Sequence, residues 1–426
     1  MLEVFIVMLG ILAISMLAQE RLNIPLPFSL LSLALAVTLT GVVDLHSNSA
    51  EVSALVLAVL PLLIAGDTIS VKLRDFKKHW FRFFYLACIS VALSVVAALS
   101  IHKFILPEYG LSYLALALLY IPATATDPVA VSAAMGGNKD IPRDLKICAE
   151  SESLLNDLFA LIFFSICVSL LTFESQGDVA GQITPLALDV LLMIGIPIVI
   201  GGIVGLVGIG LLSLTKNPVI ETIIILLAAY LSFYGAEHYH ASGILAIVVS
   251  IVMTFDFIDL MIRKDKGIID GATKSHSFGL LKEAIVHKNN LESVINYIKA
   301  FGMLAVTAIF IAMVTMLNWT ALFEHSKAIV MIFLSTTVIR FFMMAKFVGM
   351  TNMIARLESM KSSWIPVMGF AGVKGGLSIV MISVYLPDSF EHKALFETII
   401  SGVILLSTLT YPLALQVTIR LLKKKL

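Results

Sequence analysis

Charged residues are scarce in this chain of 426 residues. Asp, Glu, Lys and Arg make up 14% of it, and 29 basic side chains balance 29 acidic ones. Soluble globular proteins contain about 25% charged residues. Because 59% of the residues are hydrophobic and the mean hydropathy is +0.99, the composition predicts a polytopic membrane protein in contact with lipid.

Other absences exclude further classes of function. The zero net charge and the lack of a long basic run argue against nucleic-acid binding. The three cysteines, Cys88, Cys148 and Cys167, form no CxxC pair, so neither a disulfide framework nor a zinc site is indicated. The chain has no GxxxxGKS or GxGxxG phosphate loop, which argues against a nucleotide-driven pump. We expect no cofactor and no enzymatic activity.

Long apolar runs recur along the whole chain. A helix needs about 20 mostly apolar residues to cross a bilayer. The N-terminal run carries Glu3 where a signal peptide has a basic region, so we interpret it as the first span. The runs predict an all-α protein with about thirteen spans, which begin near Leu2, Ile24, Val52, Phe83, Leu111, Ile147, Leu186, Val219, Ser242, Phe301, Ala328, Val367 and Thr398.

The distribution of basic residues predicts the orientation. With thirteen spans, 24 of the 29 Lys and Arg residues lie in loops on the side of the C-terminus, 3 lie on the opposite side, and Arg340 and Lys374 fall inside spans. Cytoplasmic loops are enriched in Lys and Arg. We therefore expect the N-terminus outside and the C-terminus in the cytoplasm, and the short tails suit a prokaryotic inner membrane.

The longest predicted extramembrane segment, residues 256–300, lies on the cytoplasmic side. Its apolar residues follow helical spacing, which is typical of an amphipathic helix at the membrane interface: Leu281, Ala284, Ile285, Leu291, Val294, Ile295 and Ile298. Two interpretations stay open, a connector between two halves of the protein and a regulatory or pH-sensing element.

The fifth predicted span should break. Pro122 and Pro128 remove two backbone donors and bias the residues before them away from the helical conformation. Unwound backbone at bilayer depth is tolerated only where it is buried in protein or lines a wet cavity, and there it can hold ions. Asp127 followed by Pro128 is also an ordinary helix N-cap, and this alternative remains open.

The sixth predicted span begins with a polar stripe. Ser153 and Asp157 are i,i+4 neighbours on a helix, as are Glu152 and Asn156. Carboxylate and hydroxyl oxygens are the ligands of hard cations, and Asp157 is placed to be the exchangeable anion. Since burial disfavours a bare carboxylate, Asp157 would take a proton when no cation is bound. The alternative is a hydrogen-bonded patch that joins helices.

The twelfth predicted span carries four glycines within eight residues, Gly369, Gly372, Gly375 and Gly376, which predicts a second break. Lys374 lies among them and needs a buried carboxylate partner, for which we predict Glu152. Arg340 in the eleventh span needs a partner or a set of oriented carbonyls. We expect both cations to hold the broken helices and acidic groups in register.

Breaks in corresponding positions of two halves are typical of an inverted-repeat secondary transporter, with two crossed broken helices and the site at the midplane. This pattern indicates transport of a small cation without identifying the cation.

These residues resemble the monovalent cation/proton antiporter superfamily and, within it, the NhaP-type sodium/proton antiporters. The resemblance covers the whole membrane region, and its most specific blocks are Thr-Asp-Pro at 126–128 and Glu-Ser-Leu-Leu-Asn-Asp at 152–157. Leu-Pro-Leu-Leu at 60–63 and Ser-Gly-Ile-Leu-Ala at 242–246 also match, and weaker matches are Arg340 and Gly-Val-Lys-Gly at 372–375.

The resemblance implies an antiporter that exchanges Na⁺, or also Li⁺, for H⁺ at Asp157, without a cofactor. Thr126, Ser153 and Glu152 would help to bind the cation, while Asn156 and Asp127 would shape the site. An Asn-Asp pair is similar to that of the electroneutral branch. The family further implies a homodimer, with an ion-translocating core of residues 83–171 and 328–422 and scaffold spans of residues 1–82 and 186–318.

One position departs from the family pattern. The family usually has an arginine where Lys374 stands, paired with the glutamate that matches Glu152. Lysine is a point charge that gives up its proton more readily than arginine on burial, so Lys374 is a candidate for titration.

Two alternatives to Na⁺/H⁺ exchange stay open. The first is K⁺/H⁺ exchange by the same residues, because the size of an oxygen cage cannot be inferred from sequence. The second is a cation channel or a membrane sensor built on the same fold.

Overall fold

The computed structural model describes residues 2–22, 24–40, 49–69, 85–105, 107–127, 131, 135, 141–174, 183–239, 241–265, 291–315, 317–353 and 360–422. Helices account for nearly all of these residues, as the sequence predicts. In chain order they are α1 (Leu2–Leu22), α2 (Leu26–Thr40), α3 (Ser49–Thr68), α4 (Ser90–Ile105), α5 (Tyr113–Thr124), α6 (Arg143–Glu174), α7 (Ile183–Leu212), α8 (Pro218–His238), α9 (Gly243–Asp265), α10 (Leu291–Thr315), α11 (Trp319–Glu324), α12 (Ser326–Met353), α13 (Trp364–Phe370), α14 (Gly376–Val380) and α15 (Lys393–Leu422).

Eight helices within the described ranges are long and apolar enough to cross a membrane: α1, α6, α7, α8, α9, α10, α12 and α15. Five shorter apolar helical segments lie at the positions of the second to fifth and twelfth predicted spans. The polytopic, all-helical class is thus confirmed, and the number of thirteen spans stays a prediction.

The chain divides into two compact units. The first comprises residues 1–57, 81–179 and 306–426. In it α5 packs against α6, while α12 packs against α4, α13 and α15, and the short α14 packs against α5 and α15. The second unit comprises residues 58–80 and 180–305, where α7, α8 and α9 pack against one another. The predicted division into core and scaffold is a separate, functional hypothesis.

Local sequence explains several helix ends. The Ser112 hydroxyl accepts a hydrogen bond from the Ala115 N–H and caps the start of α5. Asn217 caps α8 in the same way, and Pro218 at the first helical position needs no hydrogen-bond acceptor. Both helices begin where a polar side chain replaces the missing helical partner.

The predicted connector differs from the structure. Helix α10 begins at Leu291, so Val294 and Ile298 belong to the same membrane-length helix as the tenth predicted span and not to a separate helix. The helix of this span therefore begins at Leu291 and not near Phe301. The helical spacing of the apolar residues continues into the tenth predicted span. The charged residues Glu292 and Lys299 made this stretch resemble an extramembrane segment. Leu281, Ala284 and Ile285 lie outside the described residues.

Candidate functional site

Two interrupted helices meet inside the first unit. Helix α5 ends at Thr124, where Ala125 turns to an extended conformation with φ −60° and ψ 147°. Residues 371–375 separate α13 from α14. The N–H of Asp127 donates a hydrogen bond of 2.8 Å to the carbonyl of Val373, so the two non-helical segments cross in direct contact. Both predicted breaks are confirmed.

Glycine makes this crossing sterically feasible. A Cβ atom on Gly375 would lie 2.6 Å from the Cβ of Asp127, and one on Gly372 would lie 2.1 Å from the Nε of Arg340. Real Cβ contacts essentially never fall below 3.0 Å. Glycine therefore lets the second break approach both the first break and the Arg340 side chain.

Four of the predicted site residues form one hydrogen-bonded cluster between α6 and the first break. The N–H of Thr126 donates to Oδ1 of Asp157 at 2.9 Å. The Ser153 hydroxyl donates to Oγ1 of Thr126 at 2.9 Å. The amide of Asn156 donates to the same Oγ1 at 3.1 Å and to the carbonyl of Thr124 at 2.9 Å. The predicted stripe on α6 thus faces the unwound backbone.

This cluster is buried and rich in oxygen atoms. Asp157 is 6% exposed, and Thr126, Ser153 and Asn156 are at least as deeply buried. The Thr126 N–H that binds Asp157 is a neutral donor, so this hydrogen bond does not neutralise the carboxylate charge. Carboxylate, hydroxyl and carbonyl oxygens are suitable ligands for a hard monovalent cation as substrate.

Glu152 pairs with Arg340, contrary to the prediction that it pairs with Lys374. The guanidinium of Arg340 donates to Oε1 at 3.0 Å and to Oε2 at 2.9 Å. It also donates to the carbonyls of Met368 and Gly369 at the end of α13. Arg340 thus has both the carboxylate partner and the oriented carbonyls that its burial requires. Its planar fork fits two carboxylate oxygens, which a lysine cannot do.

Lys374 is fully buried in the second break. Its side chain lies within electrostatic range of Arg340, Glu152 and Asp157. Its backbone N–H donates to the Ser407 hydroxyl of α15 at 3.1 Å. Sequence analysis missed Ser407, although a serine followed by a threonine within an apolar span is a detectable signal.

The structure therefore brings all eight predicted residues together in one unit. Thr126, Ser153, Asn156 and Asp157 form the oxygen-rich cluster, Asp127 joins the two breaks, and Glu152 forms an ion pair with Arg340 beside Lys374. Their individual roles in ion binding remain predictions.

Comparisons with known proteins give the same family as the motifs. Residues 4–258 match the model of the transmembrane region of sodium/hydrogen exchangers. The chain is 28% identical over 246 residues to the Na(+)/H(+) antiporter ApNhaP of Aphanothece halophytica, which is 57% of this chain and 44% of that protein. It is 28% identical over 257 residues to the low-affinity Na(+)/H(+) antiporter NhaS1 of Synechocystis, which is 58% of this chain and 46% of that protein. The matched region spans less than half the length of both relatives.

A solved structure shares the fold across the whole chain. The sodium proton antiporter MjNhaP1 from Methanocaldococcus jannaschii superposes with a TM-score of 0.70 at 16% identity, covering 98% of this chain and 99% of that one. Together with the match over residues 4–258, this likeness confirms the predicted superfamily. The chain belongs to the sodium/hydrogen exchanger family of integral membrane proteins.

Proposed function

We propose that this protein is a secondary antiporter that exchanges Na⁺ for H⁺ across the membrane. The observation that carries the proposal is the burial of Asp157 beside the crossing of two broken helices, with Oδ1 held by the Thr126 N–H. The family and the names of the two antiporter relatives support Na⁺ as the cation.

Exchange would follow from competition at one carboxylate. A bare carboxylate is very costly to bury. The part of the protein that carries Asp157 would therefore move only when a cation or a proton is bound to this carboxylate. The hydroxyls of Thr126 and Ser153 would help to replace the hydration shell of the cation. Because either ligand neutralises the same charge, the two cannot bind together, and each half-cycle carries one of them.

The neighbouring Asn156 favours electroneutral exchange. Its amide donates to Thr124 and Thr126, so it acts as a neutral, structural donor and adds no second titrating group beside Asp157. One cation would then replace one proton, and the exchange rate would not depend on membrane potential. Li⁺ would use the same oxygen ligands.

Proteoliposomes with a trapped pH dye test the exchange. A proton gradient is imposed, and Na⁺, Li⁺ or K⁺ is added in turn. We expect Na⁺ to collapse the gradient through wild type but not through Asp157→Asn. Asp144→Asn is the matched control, since Asp144 is an exposed carboxylate on the same helix. Equal rates for Asp157→Asn and wild type would exclude Asp157 as the binding group.

The same assay separates the alternatives. Dissipation by K⁺ alone would indicate a K⁺/H⁺ antiporter. A cation current without proton movement would indicate a channel, and the absence of any flux would indicate a sensor. Clamping the membrane potential with K⁺ and valinomycin tests electroneutrality, because an electrogenic exchanger would change its rate with the potential.

We further propose that the N-terminus lies outside, that the C-terminus lies in the cytoplasm of a prokaryotic cell, and that two copies form a dimer. The predicted core, residues 83–171 and 328–422, would move against the predicted scaffold, residues 1–82 and 186–318. Labelling of single cysteines from either side of intact cells tests the orientation. Mass measurement in detergent tests the dimer.

A further inference from the structure

One peptide group joins both helix breaks to α15. The bond between Val373 and Lys374 is planar, so its C=O and N–H point in opposite directions and turn together. The C=O accepts the hydrogen bond from the N–H of Asp127 at 2.8 Å. The N–H donates to the Ser407 hydroxyl at 3.1 Å. This group is therefore held at both ends.

Ser407 supplies an acceptor that the break itself removes. Inside a helix the N–H of Lys374 would bind the carbonyl of the preceding turn, but residues 371–375 are not helical. A buried N–H without an acceptor is strongly destabilising. Ser407 is 0% exposed, and its own hydroxyl donates to the carbonyl of Ile404 at 3.1 Å, which directs its lone pairs toward Lys374.

The fixed peptide group acts on the site through two consecutive residues. Asp127, which binds the Val373 carbonyl, directly follows Thr126, whose N–H binds Asp157. Hydrogen bonds in such a chain polarise and orient one another. A rotation of the Val373–Lys374 peptide would therefore displace the Thr126 N–H and hydroxyl relative to Asp157.

We infer that Ser407 is a positioning residue of the cation site, acting through the Val373–Lys374 peptide group on the backbone that holds Asp157. The transport measurements that test this inference rest on the proposed Na⁺/H⁺ exchange. Ser407 touches neither Asp157 nor the site hydroxyls in any described contact, so its effect is on geometry and not on cation ligation.

Three variants test this inference. Ser407→Ala removes the acceptor and should raise the Na⁺ concentration for half-maximal exchange about tenfold, or about 1.4 kcal/mol, with little change in maximal rate. Ser407→Thr keeps a hydroxyl and should restore the wild-type value. Thr408→Ala is the matched control, because Thr408 is the next residue, is 0% exposed, and has a hydroxyl without a partner among the described residues.

Amide hydrogen exchange measured by mass spectrometry tests the same inference without transport. Ser407→Ala should speed the exchange of residues 125–127 and 371–376, and Thr408→Ala and Ser407→Thr should not. If wild type does not exchange Na⁺, the proposed function fails while the amide data still decide the role of Ser407. Should Ser407→Ala not fold, Ser407→Cys replaces it, because sulfur is a weak acceptor. Equal protection in the Ser407 and Thr408 variants, or failure of threonine to restore it, would overturn the inference.

Discussion

Replacement of Arg340 by methionine should destabilise the protein strongly. The guanidinium makes four hydrogen bonds, two to the carboxylate of Glu152 and two to the carbonyls of Met368 and Gly369. Glu152 is 1% exposed, so loss of Arg340 leaves a buried carboxylate that has lost both hydrogen bonds from the guanidinium. Breaking such a pair by removing one member costs about 3–5 kcal/mol.

Conservative and double variants identify the source of this loss. Arg340→Lys keeps the charge but loses the planar fork, and a hydrogen bond to a charged group contributes about 1.5–3 kcal/mol. Replacing both Glu152 and Arg340 by methionine also removes the buried negative charge of Glu152. Apolar replacement of a whole buried pair is often neutral. We therefore expect the double variant to be more stable than Arg340→Met alone.

Equilibrium unfolding in mixed micelles of increasing dodecyl sulfate content measures these differences. Trp364 begins α13, the helix whose last carbonyls bind Arg340, and provides a fluorescence signal close to the change. Lys346→Met is the control, because it removes an exposed basic side chain from the same helix, and surface substitutions usually change stability by less than about 0.5 kcal/mol. If Arg340→Met lost no more stability than Lys346→Met, or if the double variant lost as much stability as Arg340→Met and Glu152→Met together, the ion pair would not hold the helices together.

Three further predictions concern the breaks and the site. Gly375→Ala should abolish Na⁺-driven proton movement in liposomes, since the new Cβ would clash with the first break. Gly349→Ala is the control and should retain this activity, because a Cβ there would meet nothing within 4 Å. Equal activities of the two variants would contradict the tight crossing. Asn156→Asp should lose exchange and not become electrogenic, because a carboxylate cannot donate the two hydrogen bonds of the amide; a potential-dependent rate would contradict this. Lys374→Arg should preserve exchange and shift its pH profile, because a buried lysine loses its proton more readily than an arginine; an unchanged profile would refute a titrating role.

Periodicity and hydropathy predicted most of the fold because lipid imposes simple rules. Apolar runs gave the helices, and Pro122 with the glycines around Lys374 located both breaks, since these residues disturb helices wherever they occur. The start of α10 was misplaced because Glu292 and Lys299 made the beginning of a membrane-length helix look like part of a surface segment. Charged residues near helix ends do not exclude them from a long helix.

The sequence predicted which of these residues lie together better than it predicted how they pair. The spacing on α6 placed Ser153, Asn156 and Asp157 on one face, because neighbours on a helix follow from the helical repeat alone. The partner of Glu152 depends on which helices pack together. Contacts between helices that are far apart in the sequence cannot be inferred from one sequence alone. Ser407 was missed for the same reason, since its partner is a backbone N–H that becomes available only once the second break has formed.

The two buried acids on α6 have different surroundings, which fit different proposed roles. Glu152 has both oxygens bound by the guanidinium of Arg340. A cation or a proton would have to displace that fork and leave the arginine charge unbalanced in a buried place. Asp157 receives a neutral hydrogen bond from Thr126, so in the proposed exchange a small cation or a proton would bind there without displacing an arginine fork. A neutral hydrogen bond to one carboxylate and an arginine fork on the other thus support the proposed ion-exchanging role of Asp157 and a structural role of Glu152.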